Sequence, residues 1–318
     1  MLYLRLYLLG YPFLLLYDFG SAILRARGDS RHPFWALVLS GIVNVGLNLL
    51  FVIALHLGVA GVAIATGVST ALSALLVLRR LSKDTLFRLT FRRPKLSPQL
   101  AGKLLKTGVP SAVQGAVFCF ASLFVQASVN RFGETAIAGS TIAMSFEYFT
   151  YYIITAIGQT ATTFTSQNHA AGQKGRCRQV LWLCLCFSIV CSSVSIFTIV
   201  LCRDVFSGFF TPDAAVIEAA GVRILCILLF EPLCNLYEIP ADVLRGSGRA
   251  LYPAVCTMLG TCAFRMLWIC TVFRAAPTLP TLYRAFPLSW LLTILLVDLG
   301  FLVLQRKKSR CAMKNESA

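Results

Sequence analysis

The sequence predicts an all-α fold, a polytopic membrane helix bundle of about nine transmembrane helices. Three observations predict it. Of the 318 residues, 57% are hydrophobic and 13% charged, where an average soluble domain has about 45–50% and about 25%. The apolar residues also come in blocks of about 20, the length that crosses a bilayer core as a helix. Finally, the basic residues collect in alternate connections between blocks, the asymmetry that marks a cytoplasmic face.

In order, the blocks run 3–24, 33–55, 59–78, 108–129, 138–165, 180–201, 217–241, 252–273 and 283–304. Each can satisfy its backbone hydrogen bonds internally, as lipid requires. The opening MLYLRLYLLGYPF runs into a full span with no small-residue cleavage site, so no cleavable signal peptide is expected. The basic clusters are Arg25, Arg27 and Arg31; the nine Lys and Arg from Arg79 to Lys106; Lys174, Arg176 and Arg178; Arg245 and Arg249; and a tail from Arg306 to Lys314. These hold 22 of the 29 basic residues, which predicts a cytoplasmic C-terminus. The net charge of +16 is then a topology signal, helped by anionic lipid, and argues against a nucleic-acid partner. The 12 cysteines make no CxxC pair and no cluster at metal-ligand spacing, so they read as small hydrophobes and no metal site is predicted.

One passage occurs twice. LRARGDSRHP, from Leu24 to Pro33, matches LRGSGRALYP, from Leu244 to Pro253, at an offset of 220 residues. The same offset lays Pro12 on Pro232, Tyr17 on Tyr237 and Asp18 on Glu238. Gly28 and Gly248 are expected in tight turns, Pro33 and Pro253 at the start of the next helix, and Arg25 and Arg245 as anchors at the lipid headgroups. These six residues read as a hinge-like hairpin, structural in role, used once per repeat. Blocks 1–3 then correspond to blocks 7–9, while blocks 4–6 have no counterpart. An array of parallel repeats predicts about 110 further residues ahead of Met1. The predicted organisation is 1–78, the last three helices of a first lobe; 79–107, a basic cytoplasmic linker; 108–304, a complete six-helix lobe; and 305–318, a basic cytoplasmic tail.

LRARGDSRHP, the run from Asn44 to Thr66, GVPSAVQG (Gly108–Gly115), TAIAGSTIAM (Thr135–Met144), SQNHAAGQKGR (Ser166–Arg176) and VLRGSGR (Val243–Arg249) resemble, in order and spacing, the multidrug and toxic compound extrusion (MATE) transporters, especially those of anaerobic Gram-positive bacteria. The resemblance implies two pseudo-symmetric six-helix lobes around a central cavity, the first incomplete here. It implies residence in the bacterial inner membrane and export of organic, often cationic, compounds in exchange for Na+ or H+. No other cofactor is implied. The expected partners are the lipid bilayer and small organic substrates. The sequence departs from the family pattern in lacking the first three helices, one of which often carries a cation-site acid. It also has Ser166 and Ala170 where glycine is common, and no acid on the fourth block.

Exchange needs a group that changes charge or binds a cation within the membrane, and an ionisable side chain at that depth is costly unless paired or hydrated. Five acids lie well inside the blocks: Asp18, Glu147, Glu231, Glu238 and Asp298. Glu231 and Arg265 sit near the middles of adjacent antiparallel blocks, so they are expected to meet, as a coupling site with Arg265 the counter-charge or as a structural ion pair. Glu231, Asn235 and Glu238 fall at i, i+4 and i+7, one helical face. Glu147, with Tyr148, Phe149, Tyr151 and Tyr152, suits either a cationic solute or an interfacial belt. Gln114 and Gln126 are further candidates for the cavity wall. Asp18 and Glu238 are expected to pair with Arg25 and Arg245 near the cytoplasmic ends, and Asp298 to snorkel. Asn44 and Asn48 read as interhelical glue, Gly58, Gly61 and Gly67 as close-packing sites, and His32, His56 and His169 as isolated.

Two further functions remain open. A lipid-linked oligosaccharide flippase would be expected to have a more cationic cavity, and the excess of buried acids over Arg265 favours drug export. A non-transporting truncated fragment is the other. An enzyme is not expected, since there is no HExxH, no GxSxG and no intramembrane His/Asp cluster.

Overall fold

A bilayer core offers backbone groups no water, so each apolar block closes its own hydrogen bonds as a helix. The computed structural model describes residues 2–83 and 97–316, with side chains for 3–83 and 97–300. Among the described residues there is no strand. The helices form two compact units, residues 1–96 and 97–318.

In the first unit, α1 (Leu2–Ala26) and α2 (Arg31–Asn48, continued by a wider π-helical turn, Leu49–Ala54) both pack on α3 (Gly58–Ser82). Small residues allow the close approach: a Cβ on Gly10 would stand 3.1 Å from the Gly67 Cα. Polar side chains then join the helices. Ser40 donates to the Ser69 carbonyl (2.6 Å), Asn44 to the Ser69 hydroxyl (3.1 Å) and Asn48 to Asn44 (3.0 Å), the hydrogen-bonding role the two asparagines were expected to have. Tyr17, Leu24, Ala36 and Val77 form the apolar centre.

The second unit begins with α4 (Pro98–Val129), which starts ten residues before the predicted block, so residues 98–107 are helix. The rest of the predicted linker, 84–96, lies outside the described residues. After α4 come α5 (Glu134–Ala170), α6 (Lys174–Leu201) and the short α7 (Arg203–Gly208). The predicted block 217–241 is not one helix. It is α8 (Ala214–Cys226), a six-residue 3-10 segment (Leu228–Leu233) and α9 (Cys234–Gly246). Pro232 lies in that segment; a proline has no N–H to donate and disfavours helical geometry before it. The next rod joins α10 (Leu251–Thr257) and α11 (Phe264–Trp268) through a π-helical segment, Met258–Ala263, and ends in another, Ile269–Phe273. The chain closes with α12 (Leu279–Glu316). The basic side chains of the predicted tail lie outside the described residues.

Among the described residues, seven helices are long and apolar enough to cross a membrane. The α5 helix is also long but rich in Thr, Ser, Tyr and Gln, and the α8–α9 rod is broken into two 13-residue helices. The surface is inverted relative to a water-soluble protein. Leu9, Phe19, Ile42, Phe120, Leu183 and Phe197 are more than 60% exposed, while Ser21, Thr150, Thr165, Ser188 and Ser192 are fully buried. Small polar residues inside and large apolar ones outside are what helix association in lipid favours.

The repeated passage has one geometry. Gly28 and Gly248 have φ of +90° and +78°, the left-handed region that only glycine enters cheaply. Their N–H groups donate to the carbonyls of Arg25 and Arg245, both at 2.9 Å, and the next residues, Asp29 and Arg249, donate to Leu24 and Leu244, both at 2.9 Å. These are helix-ending turns of the Schellman type. Pro33 and Pro253 are each the third residue of the following helix. In the first copy Asp29 also binds the His32 ring (2.7 Å) and lies 3.5 Å from Arg80, so His32 is not isolated. Burial pushes the Asp29 carboxyl up, but the His32 hydrogen bonds and the His32 and Arg80 charges outweigh it and hold it below the usual range.

Candidate functional site

The second unit forms an open cavity of about 500 Å3 lined by α4, α5, the α8–α9 rod, the α10–α11 rod and α12. Its wall carries Glu147, Glu231, Glu238, Arg245 and Arg265 among aromatic side chains that include Phe118, Tyr151, Phe286 and Trp290. Following the α8–α9 rod from its N-terminus, the charges fall into three sets.

The first is built on Arg223, an arginine absent from the sequence-derived candidates. Its Nε and Nη2 donate to the two oxygens of Glu147 on α5, at 2.7 and 2.8 Å, and its Nη1 donates to Ser140 at 2.6 Å. The guanidinium also lies over the rings of Tyr283 (5.3 Å) and Phe286 (5.8 Å) on α12. With 4% of its side chain exposed, this cation has a carboxylate, a hydroxyl and two ring faces as partners, a full complement for a buried guanidinium. Glu147 lines the cavity as expected, but as half of an ion pair.

The second set holds Glu231 and Arg265. Both line the cavity and both are about 5% exposed or less, yet they form no ion pair with each other, contrary to the sequence expectation. Glu231 Oε2 accepts a 2.6 Å hydrogen bond from Thr150 on α5. Arg265 donates from Nε to Ser289 on α12 (3.1 Å) and stacks on Phe286, 3.9 Å from the ring centroid, with Phe118 5.9 Å away. A common depth brought them to one cavity, but their directions differ.

The same interruption overturns the expected shared face of Glu231, Asn235 and Glu238. A 3-10 turn has 3.0 residues against 3.6, about 20° more rotation per residue. Over the steps from Glu231 to the end of the segment this turns Asn235 by about 40–60° beyond its α-helical position, while Glu238 stays near the direction of Glu231. Glu238 accordingly lines the cavity. Asn235 instead faces α6, fully buried, accepting from Ser188 and donating to Ser192 (2.9 Å). It also donates to the Pro232 carbonyl at 3.0 Å, a backbone acceptor within the interrupted segment.

The third set joins Glu238, Asp242 and Arg245. Tyr151 donates to Glu238 (3.0 Å), and Arg245 lies 2.6 Å from Asp242 and 3.8 Å from Glu238. Arg245 also donates to Gln114 on α4 (3.2 Å). Arg245 is therefore turned inward and is not the headgroup anchor it was expected to be, because two carboxylates on its own helix draw it to the cavity. Gln114 and Tyr151 line the cavity; Gln126 does not, and donates instead to Asn130 at the far end of α4. Asp18 and Arg25 make no ion pair, and Asp18 is exposed. Among the described residues no group of three or more His, Cys, Asp or Glu side chains converges as a metal site would.

The charge balance differs from the one read in the sequence. Arg223 and Arg245 join Arg265, so the excess of acids narrows to four against three, and each set contains at least one charge of each sign.

Comparison with known proteins agrees with this architecture. The MatE family model matches residues 110–269, half of the chain, and the model described as Lipid II flippase MurJ matches residues 2–138. The chain is 27% identical over 263 residues to the probable multidrug resistance protein YoeA of Bacillus subtilis (strain 168), covering 80% of this chain and 56% of that protein. It is 25% identical to an FAD transporter of Shewanella oneidensis, covering 76% of this chain and 57% of that one. The chain thus spans about half the length of the curated relatives it matches. Among solved structures, a MATE transporter in complex with MaL6 superposes with a TM-score of 0.86 at 20% identity, over 97% of this chain and 70% of that one. A MOP superfamily transporter from Pyrococcus furiosus, described as having a binding pocket of reverse polarity, gives 0.87 at 20% identity over 97% and 69%. The helical fold around a charged cavity, with the family model matching α4 to α11, shows that this chain belongs to the MatE family of membrane transporters.

Proposed function

We propose that the chain acts in a secondary antiporter that exports drugs or other toxic organic compounds, often cationic, in exchange for Na+ or H+, by alternating access. The proposed setting is a bacterial inner membrane, with the C-terminus on the cytoplasmic side. The observation that carries this reading is Glu231. It is a buried carboxylate in a membrane-embedded cavity, held on one oxygen by Thr150 and matched by no cation among the described residues. A carboxylate so placed is costly when charged and empty, and binding a proton, a Na+ ion or a cationic solute relieves the cost. Competition among them for one group is what exchange requires. Glu147 and Glu238 fit this role less well, since each already has an arginine. The names of relatives such as YoeA support the drug-export part.

A lipid-linked oligosaccharide flippase is the second reading. The MurJ match over residues 2–138 and the three arginines in and around the cavity favour it. The cavity's aromatic wall favours small organic solutes.

Ethidium movement in everted membrane vesicles, with Na+ and proton gradients imposed separately, tests the proposal. One of the two gradients should drive uptake, and Glu231→Gln should abolish that dependence while Asp298→Asn leaves it largely intact. Dye retention equal to that of empty vesicles under both gradients overturns the antiporter reading. Equal and negligible effects of the two substitutions overturn the role of Glu231.

A further inference from the structure

A second groove lies on the second unit, apart from the cavity above, between α4 and the turn that joins α9 to α10. It has a volume of about 780 Å3 and a wall of two characters. Leu105, Val109 and Pro110 on α4, with Leu251 and Val255 on α10, make it apolar, and Lys106 and Arg249 add two cations. Each cation falls just before an apolar block, Lys106 before 108–129 and Arg249 before 252–273. Both therefore stand where the bilayer core ends, while Val109, Pro110 and Val255 lie within it. Tyr252, the other polar side chain in the wall, is bonded to the Leu296 carbonyl on α12. No acid lines the groove, and neither cationic side chain has a hydrogen-bond or ion-pair partner among the described residues.

The repeated passage supplies the contrast. At the offset of 220, Arg249 stands where the first copy has Asp29, and Asp29 is matched within the protein by His32 and Arg80. The second copy keeps the turn but sets an unmatched cation beside an apolar groove. We propose that this groove binds an anionic phospholipid, its phosphate on Lys106 and Arg249 and an acyl chain along the apolar wall. Each Lys or Arg at the membrane surface strengthens the hold on an anionic headgroup by about fivefold. The apolar wall beneath gives the chain below that headgroup a surface to cover; a soluble anion would leave it bare. The neighbouring segment 84–96 carries Arg88, Arg92, Arg93 and Lys95 against Asp84, so like charge disqualifies it as the counter-ion. The α4 helix and α9 also meet through the Arg245–Gln114 hydrogen bond, and the lipid would brace α4 against the turn that follows α9. The site goes beyond the transport reading and does not depend on what the cavity carries.

Native mass spectrometry of the purified full chain in detergent counts bound lipid directly. Phosphatidylglycerol and phosphatidylcholine with the same oleoyl chains are titrated separately. The first phosphatidylglycerol should bind roughly ten- to thirtyfold tighter than the first phosphatidylcholine, the product of two cations at about fivefold each. Lys106→Gln combined with Arg249→Gln should remove that preference. Lys174→Gln combined with Arg178→Gln, two exposed cations that do not line the groove, should keep it. Val109→Trp, which fills the apolar wall and leaves the charges in place, should weaken phosphatidylglycerol several-fold. Millimolar inorganic phosphate should not displace the lipid. Equal affinity for the two lipids overturns the proposal. So does a loss of preference as large in the Lys174 and Arg178 pair as in the Lys106 and Arg249 pair, which would mean general surface charge. Displacement by phosphate also overturns it, since the site would then belong to a soluble anion. If the double variant at the groove fails to fold, Val109→Trp decides, and undiminished phosphatidylglycerol binding there overturns the proposal.

Discussion

Replacing Glu147 with leucine should show whether this acid is a free cavity charge or a structural partner of Arg223. The substitution removes both carboxylate oxygens from a guanidinium that keeps only the Ser140 hydroxyl and the Tyr283 and Phe286 rings. The Arg223 side chain is 4% exposed and cannot shed its charge, so an uncompensated cation stays inside the bundle. Stranding one member of a buried pair costs about 3–5 kcal/mol. At about 2–4 °C per kcal/mol for a chain of this size, the melting temperature should fall by roughly 6–20 °C. The converse change, Arg223→Met, should cost less, because a stranded carboxylate can take up a proton and Glu147 is 15% exposed. The double substitution should recover most of the loss, since two apolar side chains leave no charge to desolvate.

The assay is thermal unfolding in detergent followed with a thiol-reactive fluorophore. Cys256 and Cys262 are buried and react only as the bundle opens, while the exposed Cys119, Cys186, Cys202 and Cys270 can be blocked beforehand. A double-mutant cycle over the four proteins gives the coupling energy directly. If that coupling is below about 0.5 kcal/mol, or if Glu147→Leu melts with the unaltered chain, the pair is not desolvated and Glu147 is again open to a substrate.

Two further outcomes follow from backbone geometry. Gly28→Ala and Gly248→Ala should each lower stability by about 1–2 kcal/mol, and by similar amounts, because both need positive φ and neither added methyl meets an atom within 4 Å; denaturant titration of the two variants compares them. Gly158→Ala should cost about 1–3 kcal/mol, because the methyl would collide with the Asp242 carboxylate on α9. An unchanged melting temperature in the same assay would refute the close packing of α5 against α9 at this point.

The parts of the fold legible in the sequence were those fixed by local chemistry. The turns at Gly28 and Gly248 followed from one residue type in a matching frame, because only glycine reaches their dihedrals without strain. Asn44 and Asn48 followed from spacing, because residues four apart on a helix are neighbours. Arg223 was missed although its signal was present: it lies inside the apolar block 217–241, where an arginine requires a partner. Its partner, Glu147, is 76 residues away, and no helical period connects the two. Arg245 was misread because a single arginine beside a turn looks the same whether it reaches lipid or turns inward. Asp242, just past the end of the block, was the clue to its direction.

The separation of Glu231 from Arg265 has a more general cause. Depth in a membrane follows from counting residues along a helix, and the count placed both in one cavity correctly. Azimuth accumulates through every turn, so each departure from 3.6 residues per turn rotates everything beyond it. Two such departures bear on this site, the 3-10 segment containing Pro232 and the π-helical segment just before Arg265. Pro232 was visible in the sequence as the warning for the first; nothing in Met258–Ala263 announces the second so plainly. The consequence is chemical as well as geometric. Two opposite charges on unbroken, facing helices would meet and neutralise each other, leaving the cavity with no unmatched charge to offer. With both helices broken, the pair stays apart, and Glu231 and Arg265 each keep one side of their charge for a solute.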